Sequence, residues 1–231
     1  IMIWVHGGSN VNGWAYEPNY IGAQLAVKGV VVVSINYRMG SLGFLPVPFE
    51  GAADMPSGNY GISDIIAAVQ WVRDNSAAFG GDPDNITLFG ESAGAANIYA
   101  LLKSPQTDGM FRRAILESGA LGPGDMPSFD VAQARAKEMF SKANITSVEA
   151  ARALPWQDLV DLHKATGVDY YHGPVVDGYW VSDTERFHDD VDVIVGSNLN
   201  EMLMYIGGSD TEMLAEGLAD YPVDIRSSLL A

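Results

Sequence analysis

Five short, mostly apolar runs rich in β-branched residues restrict the fold of this chain more than any other feature. They are Ile1 to Val5, Val30 to Ile35, Ile86 to Phe89, Ala114 to Leu116 and Val191 to Val195. Each is bounded by glycine or polar turns and is too short for a helix, which is the pattern of parallel strands buried on both faces. Ahead of the third run, Ile62, Ile65, Ile66, Val69 and Val72 repeat on one helical face, and that pattern stops at Phe79-Gly80-Gly81. Strands that alternate with helices predict an α/β chain with a mostly parallel sheet and helices on both faces. Ligands of such sheets bind at the carboxyl ends of the strands.

From Phe129 to about Thr166 the pattern is helical only, with Val131, Ala134, Met139 and Phe140 and then Leu154, Leu159 and Leu162 as apolar positions. This predicts a helical insertion between the fourth and fifth strands, placed to cover the carboxyl edge of the sheet as a cap. There is no internal repeat, low-complexity tract or linker, and 231 residues suit one domain.

Charge excludes some partners. With 29 acidic and 13 basic residues the formal charge is -16, which repels nucleic acid and anionic lipid, so no nucleic-acid partner is expected. So acidic and lysine-poor a surface suits plain solubility or a salty medium. No run reaches the roughly 18 apolar residues of a membrane helix, so no membrane span is expected. Without cysteine there is neither a disulfide nor a thiolate metal site. Asn85-Ile86-Thr87 and Asn144-Ile145-Thr146 match the glycosylation acceptor triplet, a pattern common by chance.

Two segments carry chemistry. Gly90-Glu91-Ser92-Ala93-Gly94 lies where the third strand meets a helix that begins near Ala93. So tight a strand-to-helix turn strains the central serine, needs small residues two positions to either side, and aims a helix N-terminus at the serine hydroxyl. A glycine-rich turn without chemistry has the same letters. His6-Gly7-Gly8-Ser9 follows the first strand directly and exposes backbone N–H groups. With the N–H of Ala93, those groups can form an oxyanion hole for a tetrahedral intermediate. Taken alone, His-Gly-Gly also occurs in phosphate loops and plain turns. His163, His172 and His188 show no metal-ligand spacing, and Asp189, Asp190 and Asp192 suit a solvated face, so no metal is assigned.

Taken together, the motifs resemble the type-B carboxylesterase family, which includes the cholinesterases and bacterial esterases active on nitrobenzyl esters. The resemblance rests on Asn36-Tyr37-Arg38 with Gly43-Phe44-Leu45, Gly58-Asn59-Tyr60-Gly61 with Asp64, and Phe79-Gly80-Gly81-Asp82-Pro83 leading to the serine turn. It continues through Ala114-Ile115-Leu116 with Ser118-Gly119, Gly173-Pro174-Val175-Val176-Asp177-Gly178, and Gly196-Ser197-Asn198 with Glu201. It implies the α/β-hydrolase fold, Ser92 as nucleophile, Glu201 as the acid of a Ser-Glu-His triad, and an oxyanion hole of Gly8, Ser9 and Ala93. The substrate implied is a small-molecule ester, with no cofactor. Asn198 and Glu201 also have the spacing of a helix capping box, and both roles can coexist. The family usually has a third glycine and an aromatic where this chain has Ser9 and Asn10, a change that alters the acyl pocket but keeps a backbone donor. Trp14, Tyr16 and Met126 are expected along the pocket. A non-catalytic, adhesion-like member of the same fold is the alternative, although members of that kind usually lack the serine.

The family's base is a histidine that follows the acid, whereas His6, His163, His172 and His188 all precede Glu201. The chain is therefore expected to be an internal piece of a longer esterase, lacking N-terminal strands and the histidine-bearing part and inactive alone. His172 is expected far beyond hydrogen-bond reach of Ser92, and the strands at Val30 to Ile35 and Val191 to Val195 are expected to be exposed apolar edges.

Overall fold

The computed structural model describes residues 1–49, 52, 58–119, 125–184, 187–199 and 201, and divides into two units, Ile1–Gly196 and Ser197–Ala231. Among the described residues the first unit holds five strands: β1 (Met2–Val5), β2 (Val32–Ile35), β3 (Thr87–Glu91), β4 (Arg113–Glu117) and β5 (Asp192–Gly196). Its helices are α1 (Ala23–Ala26), α2 (Gly40–Phe44), α3 (Tyr60–Asn75), α4 (Ala93–Leu102), α5 (Phe129–Lys142), α6 (Val148–Arg152), α7 (Trp156–Val160) and α8 (Leu162–Thr166). Each predicted strand is present, shifted by one or two residues at its ends.

All four strand pairings are parallel, in the order β2-β1-β3-β4-β5. From β1 the chain moves outward to β2, then returns past β1 to β3. The order therefore reverses between β1 and β3, and at such a switch point the loops leaving the two strands diverge and open a crevice at their carboxyl ends.

Alternation along the strands sets the two faces. Ile3 and Val5 of β1 stand in register with Leu88 and Gly90 of β3, and beyond them come Ala114 and Leu116 of β4. This face is buried under Ile62, Ile65, Val69 and Val72 of α3 and Ile98, Leu101 and Leu102 of α4. On the opposite face Trp4 packs between Tyr20 and Phe89, with ring centroids 4.8 and 4.9 Å away. There α1 and a 3₁₀ turn at Pro18–Tyr20 lie near β1 and β2, while Ile194 of β5 is exposed.

Helix ends follow local chemistry. Helix α3 runs into a 3₁₀ turn that ends at Gly80, whose φ of 76° only glycine adopts at little cost. Ser128 and Ser147 cap α5 and α6 by accepting hydrogen bonds from the N–H of Val131 and Ala150. Helices α5 to α8 occupy the stretch predicted to be helical and build a second apolar cluster around Met139, Phe140, Leu162 and Tyr170, which also takes in Leu45. Among the described residues no helix is long and apolar enough to cross a membrane.

Candidate active site

Ser92 sits at the carboxyl end of β3, just before α4, with φ 55° and ψ -124°. A non-glycine residue in this region costs on the order of 1–3 kcal/mol and persists only where its surroundings hold it. Here the Ser92 N–H donates to the carbonyl of Glu117 at 2.8 Å, and its own carbonyl accepts from Ala96 N–H at 3.0 Å. Two glycines make the turn possible. A β-carbon on Gly94 would lie 2.0 Å from the Val5 carbonyl oxygen, and one on Gly119 would lie 2.0 Å from the carbonyl oxygen of Ser92.

The loop leaving β1 runs beside this turn. Val5 is level with Gly90, and a β-carbon on Gly7 would come 3.2 Å from the β-carbon of Ser92. Gly8 has φ 100°, and Ser9 and Asn10 follow with φ 55° and 57°. The Gly8 carbonyl accepts from the N–H groups of Val11 and Asn12 at 3.0 and 3.1 Å, folding the loop back on itself. Among the described residues, no group accepts a hydrogen bond from the N–H of Gly8, Ser9 or Ala93. His6 anchors the start of this loop: its ring stacks on Tyr37 at 4.5 Å, and the Tyr37 hydroxyl donates to the His6 carbonyl at 2.8 Å. Burial raises the Tyr37 pKa far above the ordinary phenol value, so the hydroxyl keeps its proton.

Ser92 opens into a cleft of about 610 Å³ lined by Ser9, Asn10, Val11, Ala93, Ala96, Ser118, Gly119 and the segment Asp169 to His172. Trp14, Tyr16 and Met126 are not among these lining residues. Trp14 and Tyr16 are exposed, and Met126 is buried in the main core. The far wall comes instead from the strap after α8, fixed where the Tyr170 hydroxyl donates to the Phe44 carbonyl at 2.6 Å.

His172 therefore stands in the wall of the same cleft as Ser92, and neither ring nitrogen has a hydrogen-bond partner among the described residues. Burial, helped by the neighbouring His163 ring at 5.0 Å, lowers its pKa to about 4, so it is neutral at pH 7. The other histidines are engaged elsewhere. His6 Nδ1 lies 2.9 Å from the Gly7 carbonyl, His163 Nδ1 3.2 Å from that of Val160, and buried His188 Nε2 3.0 Å from the Thr107 hydroxyl. Asp189, Asp190 and Asp192 are exposed.

Glu201 belongs to the second unit, where its Oε1 accepts from the Asn198 N–H at 2.6 Å. That is the reciprocal half of a capping box. The sequence reading missed Asn97, which is wholly buried and bonded to Asn10. Its signal was a lone amide in an otherwise small and apolar helix, one turn after Ala93.

A parallel sheet that reverses at β1 and β3, with a strained serine on the elbow after β3, defines the α/β-hydrolase fold. The profile of the Carboxylesterase family matches residues 1–217, and the chain belongs to that family. It is 51% identical over 121 residues to the para-nitrobenzyl esterase of Bacillus subtilis (strain 168), covering 52% of this chain and 24% of that protein. It is 36% identical over 218 residues to the fumonisin B1 esterase of Sphingopyxis macrogoltabida, covering 92% of this chain and 39% of that protein. The crystal structure of Geobacillus stearothermophilus carboxylesterase EST55 superimposes with a TM-score of 0.77 at 36% identity, over 96% of this chain and 50% of that one. The chain thus spans half or less of the length of each of these proteins.

Proposed function

We propose that this chain supplies the nucleophile and the oxyanion site of a carboxylic-ester hydrolase. Ser92 Oγ attacks the ester carbonyl, and the N–H groups of Gly8, Ser9 and Ala93 hold the oxyanion. The alcohol leaves with the serine proton, giving an acyl-serine; water then attacks it, releasing the acid and restoring Ser92. Glu201 takes the part of the acid that orients a histidine base, and helices α5 to α8 act as the cap. One observation carries the reading: a serine held in a strained conformation opens a cleft beside three backbone N–H groups that have no partner among the described residues. The substrate is a small-molecule ester, the class named by relatives that act on para-nitrobenzyl esters and fumonisin B1. The reaction needs no cofactor.

None of the four histidines bonds to Ser92. The hydroxyl is a poor nucleophile without a base, so these 231 residues by themselves should not turn over an ester. Protein made from the full reading frame should hydrolyse p-nitrophenyl acetate, with Ser92→Ala lowering kcat by about three orders of magnitude or more. The 231-residue chain should match its own Ser92→Ala variant. Equal rates for the full-frame protein and its Ser92→Ala variant would overturn the proposal, and turnover by the isolated chain that His172→Ala abolishes would overturn its inactivity.

A further inference from the structure

The side-chain amides of Asn10 and Asn97 meet across the seam between the loop after β1 and helix α4. Asn97 Nδ2 donates to Asn10 Oδ1 at 2.8 Å, and Asn10 Nδ2 donates back to Asn97 Oδ1 at 3.4 Å. Both residues are buried, Asn10 at 3% exposure and Asn97 at 0%. An amide stripped of water in this way needs its partner, because a buried donor or acceptor left unpaired costs the full desolvation of that group.

The placement of the pair gives it a use. Asn97 lies four residues after Ala93, one turn along the same face of α4. Asn10 directly follows Ser9, and its carbonyl accepts from the Gly40 N–H at 2.6 Å. Ser9 and Asn10 both hold positive φ, which asparagine tolerates better than serine, so the loop needs an outside restraint to keep this shape. Asn97 also lies against the Tyr37 side chain, whose hydroxyl holds the His6 carbonyl at the start of the same loop.

We infer that the Asn10–Asn97 pair is a positioning clamp that fixes the distance between the two halves of the oxyanion site. One half is the Ala93 N–H at the start of α4. The other is the Gly8 and Ser9 N–H pair on the loop. A single rigid helix carries the first half and grips the second, so the amides stand in place before a substrate arrives. The catalytic consequence rests on the function proposed above; the clamp itself does not.

Three variants of the full-frame protein test it: Asn97→Leu, Asn10→Gly and the double variant. Glycine keeps the positive φ while removing the amide. Each single variant should lower kcat on the order of 10²-fold with KM changed only a few-fold, as misplaced oxyanion donors do. Binding of a trifluoromethyl ketone, which forms a tetrahedral adduct, should weaken by about the same factor. The double variant should be no slower than the slower single one, because both remove one contact. Apart from turnover, amide hydrogen exchange in residues 7–12 should speed up by about tenfold in Asn97→Leu while the middle of α4 stays protected. Additive losses in the double variant, or unchanged exchange in the loop, would overturn the clamp. If the protein hydrolyses no ester, the functional proposal falls and the exchange experiment still decides the clamp. If Asn97→Leu does not fold, Asn10→Gly carries both readouts.

Discussion

Gly94 lies against the end of β1 so closely that a β-carbon would stand 2.0 Å from the carbonyl oxygen of Val5. The start of α4, and with it the direction of the Ala93 N–H, is thus set by backbone meeting backbone. Gly94→Ala must push α4 off β1, at a cost of about 1–3 kcal/mol or more. Gly196→Ala is the control, since no described residue lies within 4 Å of the added carbon there, and it should change stability by about 0.5 kcal/mol or less. Urea unfolding of the two variants checks this. Equal midpoints would refute the packing argument.

The Asn59 side chain joins two segments 116 residues apart. Its Nδ2 donates to the Val175 carbonyl at 2.8 Å and to Asp177 at 3.0 Å, and its Oδ1 accepts from the Val175 N–H at 2.9 Å. Asp177 in turn accepts from the N–H groups of Tyr179, Trp180 and Val181. Asn59→Ala should therefore destabilise by roughly 2–3 kcal/mol, because buried partners lose their bonds. A thermal melt within a degree or so of the parent protein would show that the bridge contributes little.

His172 gives a pH dependence whose sign follows from its burial. Its folded pKa is about 4, whereas in the unfolded chain it titrates near 6.5. Between those values the unfolded state binds more protons, so stability falls as pH drops from about 6.5 toward 4 and is insensitive to this group above that window. An NMR titration should place the His172 ring midpoint near 4, and His172→Phe should lose less stability between pH 7 and pH 5 than the parent. A ring midpoint near 6.5 would contradict the burial argument.

Much of this architecture was legible in the sequence, for local reasons. The strands announced themselves as β-branched runs, and the serine elbow as two glycines flanking Ser92 at a strand-helix junction. The pairing of the Asn59 and Val175 motifs had a resemblance behind it but no visible cause until the hydrogen bonds joined them. The cleft wall was not legible. Trp14, Tyr16 and Met126 were expected there. The structure turns Trp14 and Tyr16 to solvent, buries Met126 in the main core, and brings in Asp169 to His172 through the packing of α8 and the Tyr170 bond to Phe44. Asn97 escaped notice because a buried amide has no periodicity of its own.

Among the described residues, strands β2 and β5 are the two edges of the sheet. On β5, Ile194 and Val195 are 65% and 59% exposed, whereas β2 is half-buried apart from buried Ile35. Apolar edges invite pairing with other chains. The 231-residue chain should self-associate and bind a hydrophobic dye, and Ile194→Lys should reduce both. A monomer on size exclusion with no dye binding would contradict this.

The central claim is that Ser92 is the nucleophile, and covalent capture tests it most directly. Full-frame protein treated with a fluorophosphonate and digested with trypsin should carry one phosphonyl group on the peptide between Arg73 and Lys103, localised by fragmentation to Ser92. The Ser92→Ala protein should take up none. Labelling that persists in Ser92→Ala, or an adduct that maps to another residue, would contradict the account.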